Sequence, residues 1–83
     1  MKIKVKIKEK ERQSIGIDTP FIKLDAFLKF CGAAESGGHA KSMVNDGMVR
    51  LNGEVCLQRG KKVRPGDEVE VLNVIYKIEN DGT

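Results

Sequence analysis

The chain has 83 residues, 40% of them hydrophobic, and its 15 Lys and Arg against 12 Asp and Glu give a net charge of +3. This length limits it to one compact core, so we expect a single domain over residues 1–83 with little room for a catalytic cleft. No run approaches the roughly 18–20 apolar residues that a membrane span needs, so we expect a soluble chain without a membrane partner.

Apolar and basic residues alternate strictly over residues 2–8. This period predicts a half-buried edge strand whose lysines deter strand-to-strand aggregation. Residues 9–18 lose the period and contain Ser14 and Gly16. We therefore predict an exposed connection there.

From Leu24 the apolar period becomes that of a helix, with Phe27, Leu28 and Cys31 on the same face and Gly32 placed to end it. Ser36 is positioned to cap a second helix, which Gly47 would close in the left-handed conformation. Its predicted inward positions are Ala40, Met43 and Val44, and its predicted outward positions are His39, Lys41 and Ser42.

Asn52-Gly53 joins two short apolar runs over residues 49–57. Asn-Gly is the pair best suited to a type I′ turn, so this segment predicts a β-hairpin. A basic loop over 59–64 and a Pro-Gly-Asp turn then lead into a strand over 68–72. We expect residues 74–78 to extend that strand and residues 79–83 to form a frayed tail.

The basic residues are concentrated in the middle of the chain. Residues 23–64 contain eight Lys and Arg against four Asp and Glu. Because the total charge is only mildly positive, this distribution is the feature that favours a polyanionic partner.

Three segments carry a family resemblance: Lys23-Leu24-Asp25, Ser36-Gly37-Gly38-His39-Ala40-Lys41 and Gly47-Met48-Val49-Arg50-Leu51-Asn52-Gly53. Together they resemble the alpha-L RNA-binding motif, the domain first described in the fourth small-subunit ribosomal protein. The resemblance covers roughly residues 21–72. With Arg-Gly-Lys-Lys before the final strand, the chain is most similar to the small free-standing bacterial members, of the YaaA and YbcJ type.

This resemblance implies an α+β fold in which two short helices pack on a small, mainly antiparallel sheet. It also implies a non-catalytic protein that binds structured RNA, ribosomal or transfer RNA, on the ribosome or its precursor. It places Lys23, Ser36, Lys41 and Arg50 on one RNA-facing surface, flanked by Arg59, Lys61, Lys62 and Arg64 in the basic loop. We expect Gly37, Gly38 and His39 at the start of the second helix to contribute to RNA binding as well.

One position departs from the family pattern. Many members have Arg directly after the serine, whereas this chain has Gly37, which removes a cationic side chain. Gly37 and Gly38 would instead let backbone N–H groups at a helix start approach a phosphate closely.

We expect no catalytic residue, cofactor or metal. His39 stands alone without a nucleophile to activate, and Cys31 and Cys56 are placed as small core residues. One histidine and two cysteines cannot complete a four-ligand zinc site. The cysteines form no CxxC pair and no apolar signal segment precedes them, so we expect reduced thiols in a cytoplasmic protein. We also expect the protein to be a monomer.

Aromatic residues are few, so we expect base stacking to be a minor mode of binding. Phe30 is the one residue that could either stack or close the edge of the core. Two alternatives remain open: a β-grasp carrier-like module, although the chain does not end in Gly-Gly, and a protein-interaction module that uses its basic face to reach an acidic partner.

Overall fold

A computed structural model describes residues 10–81. The elements, in chain order, are β1 (Glu11–Ile17), β2 (Ile22–Lys23), α1 (Leu24–Phe30), α2 (Gly37–Asn45), β3 (Val49–Leu51), β4 (Glu54–Val55), β5 (Lys62–Val63), β6 (Glu68–Val71) and β7 (Val74–Asn80). Five strands form a sheet in the order β1-β7-β6-β3-β4, and β2 pairs with β5 in a small second sheet. Only the β1–β7 pair is parallel. The predicted α+β fold with a mainly antiparallel sheet is confirmed.

The helices cover one face of the five-stranded sheet because its strands alternate. Val69 and Val71 on β6 are buried, whereas Glu68 and Glu70 face the other way. On the helical side, the buried Phe27 ring meets Tyr76 edge-on, with centroids 5.6 Å apart and planes at 76°. This geometry suits the quadrupoles of two aromatic rings and anchors α1 over the sheet centre.

Both predicted helices form, and both end as expected. Ser36 caps α2 through its hydroxyl oxygen, which accepts a hydrogen bond from the His39 N–H at 3.1 Å. Gly32 and Gly47 follow the two helices with φ of +85° and +75°, the left-handed conformation that glycine adopts most easily.

The predicted Asn52-Gly53 hairpin is also present, with φ of 52° and 90° at the two turn residues. The Asn52 side chain has a second role. Its Nδ2 donates to Asp67 Oδ1 at 3.2 Å, and its Oδ1 accepts from the Glu68 N–H at 2.9 Å. Asp67 in turn accepts from the Arg64 N–H at 2.9 Å. One side chain therefore joins the hairpin to the Pro-Gly-Asp turn.

The exposed connection predicted over residues 9–18 is wrong, because Glu11–Ile17 forms β1 and pairs in parallel with β7. The strand shows no apolar alternation at its start because residues 11–14 are polar and exposed, and only Ile15 and Ile17 pack into the core. Gly16 is a packing position and not a turn. A Cβ there would lie 2.6 Å from the Cβ of Asp81.

Two other predictions need correction. Residues 62–63 of the predicted loop form β5, and residues 74–80 form a separate antiparallel strand that includes part of the predicted frayed tail. The chain reverses before β7 because Leu72 and Asn73 both take positive φ, 52° and 68°, as in a tight hairpin turn. The strand predicted over residues 2–8 lies outside the described residues.

Neither helix of the described chain could cross a membrane. They have seven and nine residues, whereas a spanning helix needs about 20.

Replacing Asn52 tests how much its side-chain bonds stabilise the fold. We expect Asn52→Ala to lower the free energy of unfolding by about 2–3 kcal/mol, because it removes two hydrogen bonds and puts alanine at positive φ. Asn73→Ala is the matched control, since Asn73 also has positive φ but makes no side-chain hydrogen bond within residues 10–81. It should cost about 1 kcal/mol in a urea titration. Equal losses would show that the side-chain bonds add nothing.

Candidate nucleic-acid interface

The start of α1 is bound to the basic loop through the backbone. The N–H groups of Leu24 and Asp25 donate to the carbonyl oxygens of Lys61 and Arg59, each at 2.9 Å. Lys23, at the N-cap position, offers no side-chain cap. The loop carbonyls therefore satisfy helix N–H groups that a capping side chain usually takes. This arrangement fixes the loop at one end of the helix.

The β2–β5 pair places two lysines opposite each other. Lys23 faces Lys62 in antiparallel register, and both are exposed. Like charges directly across a strand pair destabilise it. The Lys62 ammonium lies 4.8 Å from the centre of the Phe21 ring, a cation–π contact that orients this side chain. The chain thus holds two uncompensated cations side by side at the start of α1.

The start of α2 is open to solvent and well ordered by local bonds. The Glu35 N–H donates to His39 Nδ1 at 3.1 Å, so the ring is bound to the turn before α2. Gly37 and Gly38 are exposed, and a Cβ at Gly37 would meet no atom within 4 Å. The Gly37 backbone can therefore be approached closely. Lys41 lies one helical turn farther on, and it is also exposed.

A depression of about 170 Å³ connects the two helix starts. It is lined by Asp25, Ala26 and Lys29 of α1 and by Gly37 of α2. The Asp25 side chain accepts from the Ala26 N–H at 2.7 Å, which places its charge in the first turn, where the helix dipole favours an anion. Lys29 was not among the predicted site residues, because its place beside Gly37 depends on how the two helices pack.

These contacts bring most of the predicted site together. We use the name basic face for the exposed cations around the two helix starts and the loop: Lys23, Lys29, Lys41, Arg59, Lys61, Lys62 and Arg64. Ser36, Gly37, Gly38 and His39 border it on the α2 side.

Arg50 does not lie with the others. Val49 before it is buried under the helices, so Arg50 points to the opposite face of the sheet. Its Nη1 donates to the carbonyl oxygen of Gly53 at 3.3 Å, within its own hairpin. The resemblance placed Arg50 on one surface with Lys23 and Lys41, but alternation along β3 separates it from them.

The charges of the basic face are not neutralised internally. Within residues 10–81, ion pairs join Lys10 to Glu70 and Arg12 to Glu68, all at the sheet face away from the helices. In the same part of the chain, no cation of the basic face is paired with a carboxylate. The basic face therefore presents free positive charge on a backbone that is fixed by hydrogen bonds.

The remaining candidate groups are arranged as structural residues. Burial raises the pKa of the Cys31 thiol, which stays protonated at neutral pH. Burial also raises the pKa of the Tyr76 hydroxyl, and the neighbouring Cys31 raises it further. Within the described part of the chain, no three His, Cys, Asp or Glu side chains are grouped to hold a metal ion.

Comparison with known proteins agrees with this geometry. A family model described as the S4 domain matches residues 15–79, from β1 to the end of β7. The chain is also 42% identical over 57 residues to the Bacillus subtilis (strain 168) protein named probable ribosome maturation protein RlbA. That alignment covers 69% of this chain and 80% of the relative. The resemblance to the ribosomal domain is confirmed: the chain belongs to the S4 domain family.

Proposed function

We propose that this protein binds structured RNA through the basic face, without catalysing a reaction, and that its target is ribosomal RNA in a maturing ribosome. The observation that carries this proposal is the set of unpaired cations around the start of α1. The family supports RNA as the partner. The ribosome maturation protein from Bacillus subtilis, as its name describes it, supports the ribosomal target.

The chemistry of the basic face suits phosphate groups. Each Lys or Arg that neutralises a phosphate releases condensed counterions, and this gain is largest at low salt. Arg59 and Arg64 can each grip a phosphate with two parallel hydrogen bonds, whereas the lysines act as point charges. The Lys23–Lys62 pair, unfavourable in the free protein, becomes favourable once a phosphate lies between the two ammonium groups.

Rigid placement supports recognition of shape more than of sequence. The loop is fixed to α1 at Arg59 and Lys61 and to the Asn52 hairpin through Asp67. Little conformational freedom is therefore lost when RNA binds. A-form RNA hides its deep groove and exposes phosphates and 2′-hydroxyls, which a preformed basic face can meet.

An acidic protein is the competing partner for the same cations. Both partners would bind through charge, but only a nucleic acid has regularly spaced phosphates with a condensed counterion layer. The dependence of affinity on salt therefore distinguishes them.

Removing loop charge tests the proposal directly. We expect Lys61→Ala/Lys62→Ala/Arg64→Ala to weaken binding to fragments of bacterial ribosomal RNA by more than about tenfold and to reduce the slope of log affinity against log salt by about 2–3. Fluorescence anisotropy between about 50 and 200 mM salt measures both quantities.

The matched control is Lys10→Ala/Arg12→Ala/Lys77→Ala, which removes the same charge from the opposite face of the sheet. This control should bind as the unchanged protein does. Equal weakening by the two triple variants would mean that only net charge matters, and it would contradict binding at the basic face.

Adding a cation at Gly37 should strengthen binding. The open space around this position accepts a longer side chain without a clash. We expect Gly37→Arg to tighten RNA binding several-fold and to steepen the salt slope by about 0.7–0.9, the value for one added phosphate contact. Gly37→Ala, the control for the backbone change, should bind no more tightly than the unchanged protein, because its Cβ only narrows the approach to the helix start. If the arginine variant binds no better than the alanine variant, the start of α2 does not face RNA.

A further inference from the structure

A groove beside the basic face has no role in phosphate binding as described above. It lies between the end of β1, the connection to β2 and the last turn of α1, with a volume of about 490 Å³. Its apolar walls include Phe21, Phe30, Ile17 and Ile22. The volume falls in the range of about 300–1,000 Å³ that is typical of small-molecule sites.

Phe30 is the least expected part of this groove. Its side chain is 60% exposed on the last turn of α1, although the rest of that helix buries its large apolar residues. It therefore contributes little to the core. An exposed aromatic ring on a rigid helix is the feature that RNA-binding proteins use to stack an unpaired base.

The groove is continuous with the basic face. Phe21 lines the groove, and its ring lies 4.8 Å from the Lys62 ammonium. Lys23 lies directly opposite Lys62 in the β2–β5 pair. A ligand with a flat apolar part in the groove would thus have a cation within reach for an attached anion.

The groove is also lined by two negatively charged side chains. Asp18 and Asp81 both line it. Carboxylate oxygens accept hydrogen bonds from the amino and imino groups on the edges of bases, and they repel phosphate. Lys62 beside Phe21 and the two carboxylates in the lining match the polarity of a nucleotide, with its phosphate toward Lys62 and its base edge toward the aspartates.

Backbone and side-chain bonds hold these walls in place. The Thr19 hydroxyl donates to the carbonyl oxygen of Phe21 at 2.9 Å, and the Asp81 N–H donates to that of Ile17 at 2.8 Å. The absence of a side chain at Gly16 is what allows Asp81 to lie against β1. The groove is therefore formed before any ligand arrives.

We propose that this groove binds one unpaired nucleotide of the RNA held on the basic face, stacking its base on Phe30 and placing its phosphate at Lys62. The inference rests on the proposed function and makes it specific: the target is a helix with a bulged or flipped-out nucleotide. The aspartates favour a base edge with adjacent amino and imino donors, so guanine is accepted over uracil, whose single imino donor lies between two carbonyl acceptors.

Two RNA hairpins test this inference: one fully paired, the other identical except for a single bulged guanosine. The unchanged protein should bind the bulged RNA more tightly. Phe30→Ala should weaken binding to the bulged RNA by about fivefold or more, the loss expected for one stacked base, and leave the paired RNA unaffected. Leu72→Ala is the matched control, because Leu72 is 57% exposed and lies in the turn at the other end of β7. It should change neither affinity.

The outcomes separate this inference from the function on which it rests. Equal binding of both hairpins, with no effect of Phe30→Ala, would overturn the nucleotide site and leave RNA binding at the basic face intact. Failure to bind either hairpin would overturn both. A bulged uridine that binds as tightly as a bulged guanosine would overturn the role given to the aspartates.

Discussion

The arrangement of the site depends on two backbone hydrogen bonds, from the N–H groups of Leu24 and Asp25 to the carbonyl oxygens of Lys61 and Arg59. Helix starts usually recruit a side chain from their own segment for this purpose. Here a loop from more than thirty residues later in the sequence supplies the acceptors. The same two hydrogen bonds therefore cap the helix and position the cations of the loop. Substitutions of the loop side chains can change its charge without loosening this anchor.

The same geometry places like charges close together in the protein without RNA, which destabilises it. Lys23 and Lys62 repel each other, and the cations of the basic face have no carboxylate partners among the described residues. Ion pairing is instead found on the opposite face of the sheet. A single surface ion pair adds little to the free energy of unfolding. This asymmetry therefore affects the electrostatic field around the molecule more than its stability. It leaves one surface attractive to polyanions and the other nearly neutral.

Features with a strong local cause could be predicted from the sequence. The Ser36 cap, the left-handed glycines and the Asn52-Gly53 hairpin each follow from the chemistry of one or two residues. Strand β1 could not be predicted from periodicity, because residues 11–14 are polar and exposed and only Ile15 and Ile17 are driven into the core. Its pairing with β7 is a long-range contact that no local pattern records.

The candidate site, too, could be predicted only in part from the sequence. Its loop cations were recognisable as a cluster, but their attachment to α1 was not. Arg50 was grouped with them by family pattern, and alternation along β3 places it on the other face. Lys29 was overlooked because its importance arises only when α2 packs beside α1 and forms the depression at Gly37. Local rules thus identify the chemical groups, and packing decides which of them share a surface.

Mapping the backbone amides that respond to RNA is the most direct measurement of the central claim. Nitrogen–proton NMR spectra of the chain, titrated with a fragment of bacterial ribosomal RNA, report each residue separately. The account predicts that the largest shifts fall in residues 23–25, 36–41 and 59–64 as one contiguous surface. Shifts confined to the opposite face of the sheet, around Arg12 and Lys77, would contradict it.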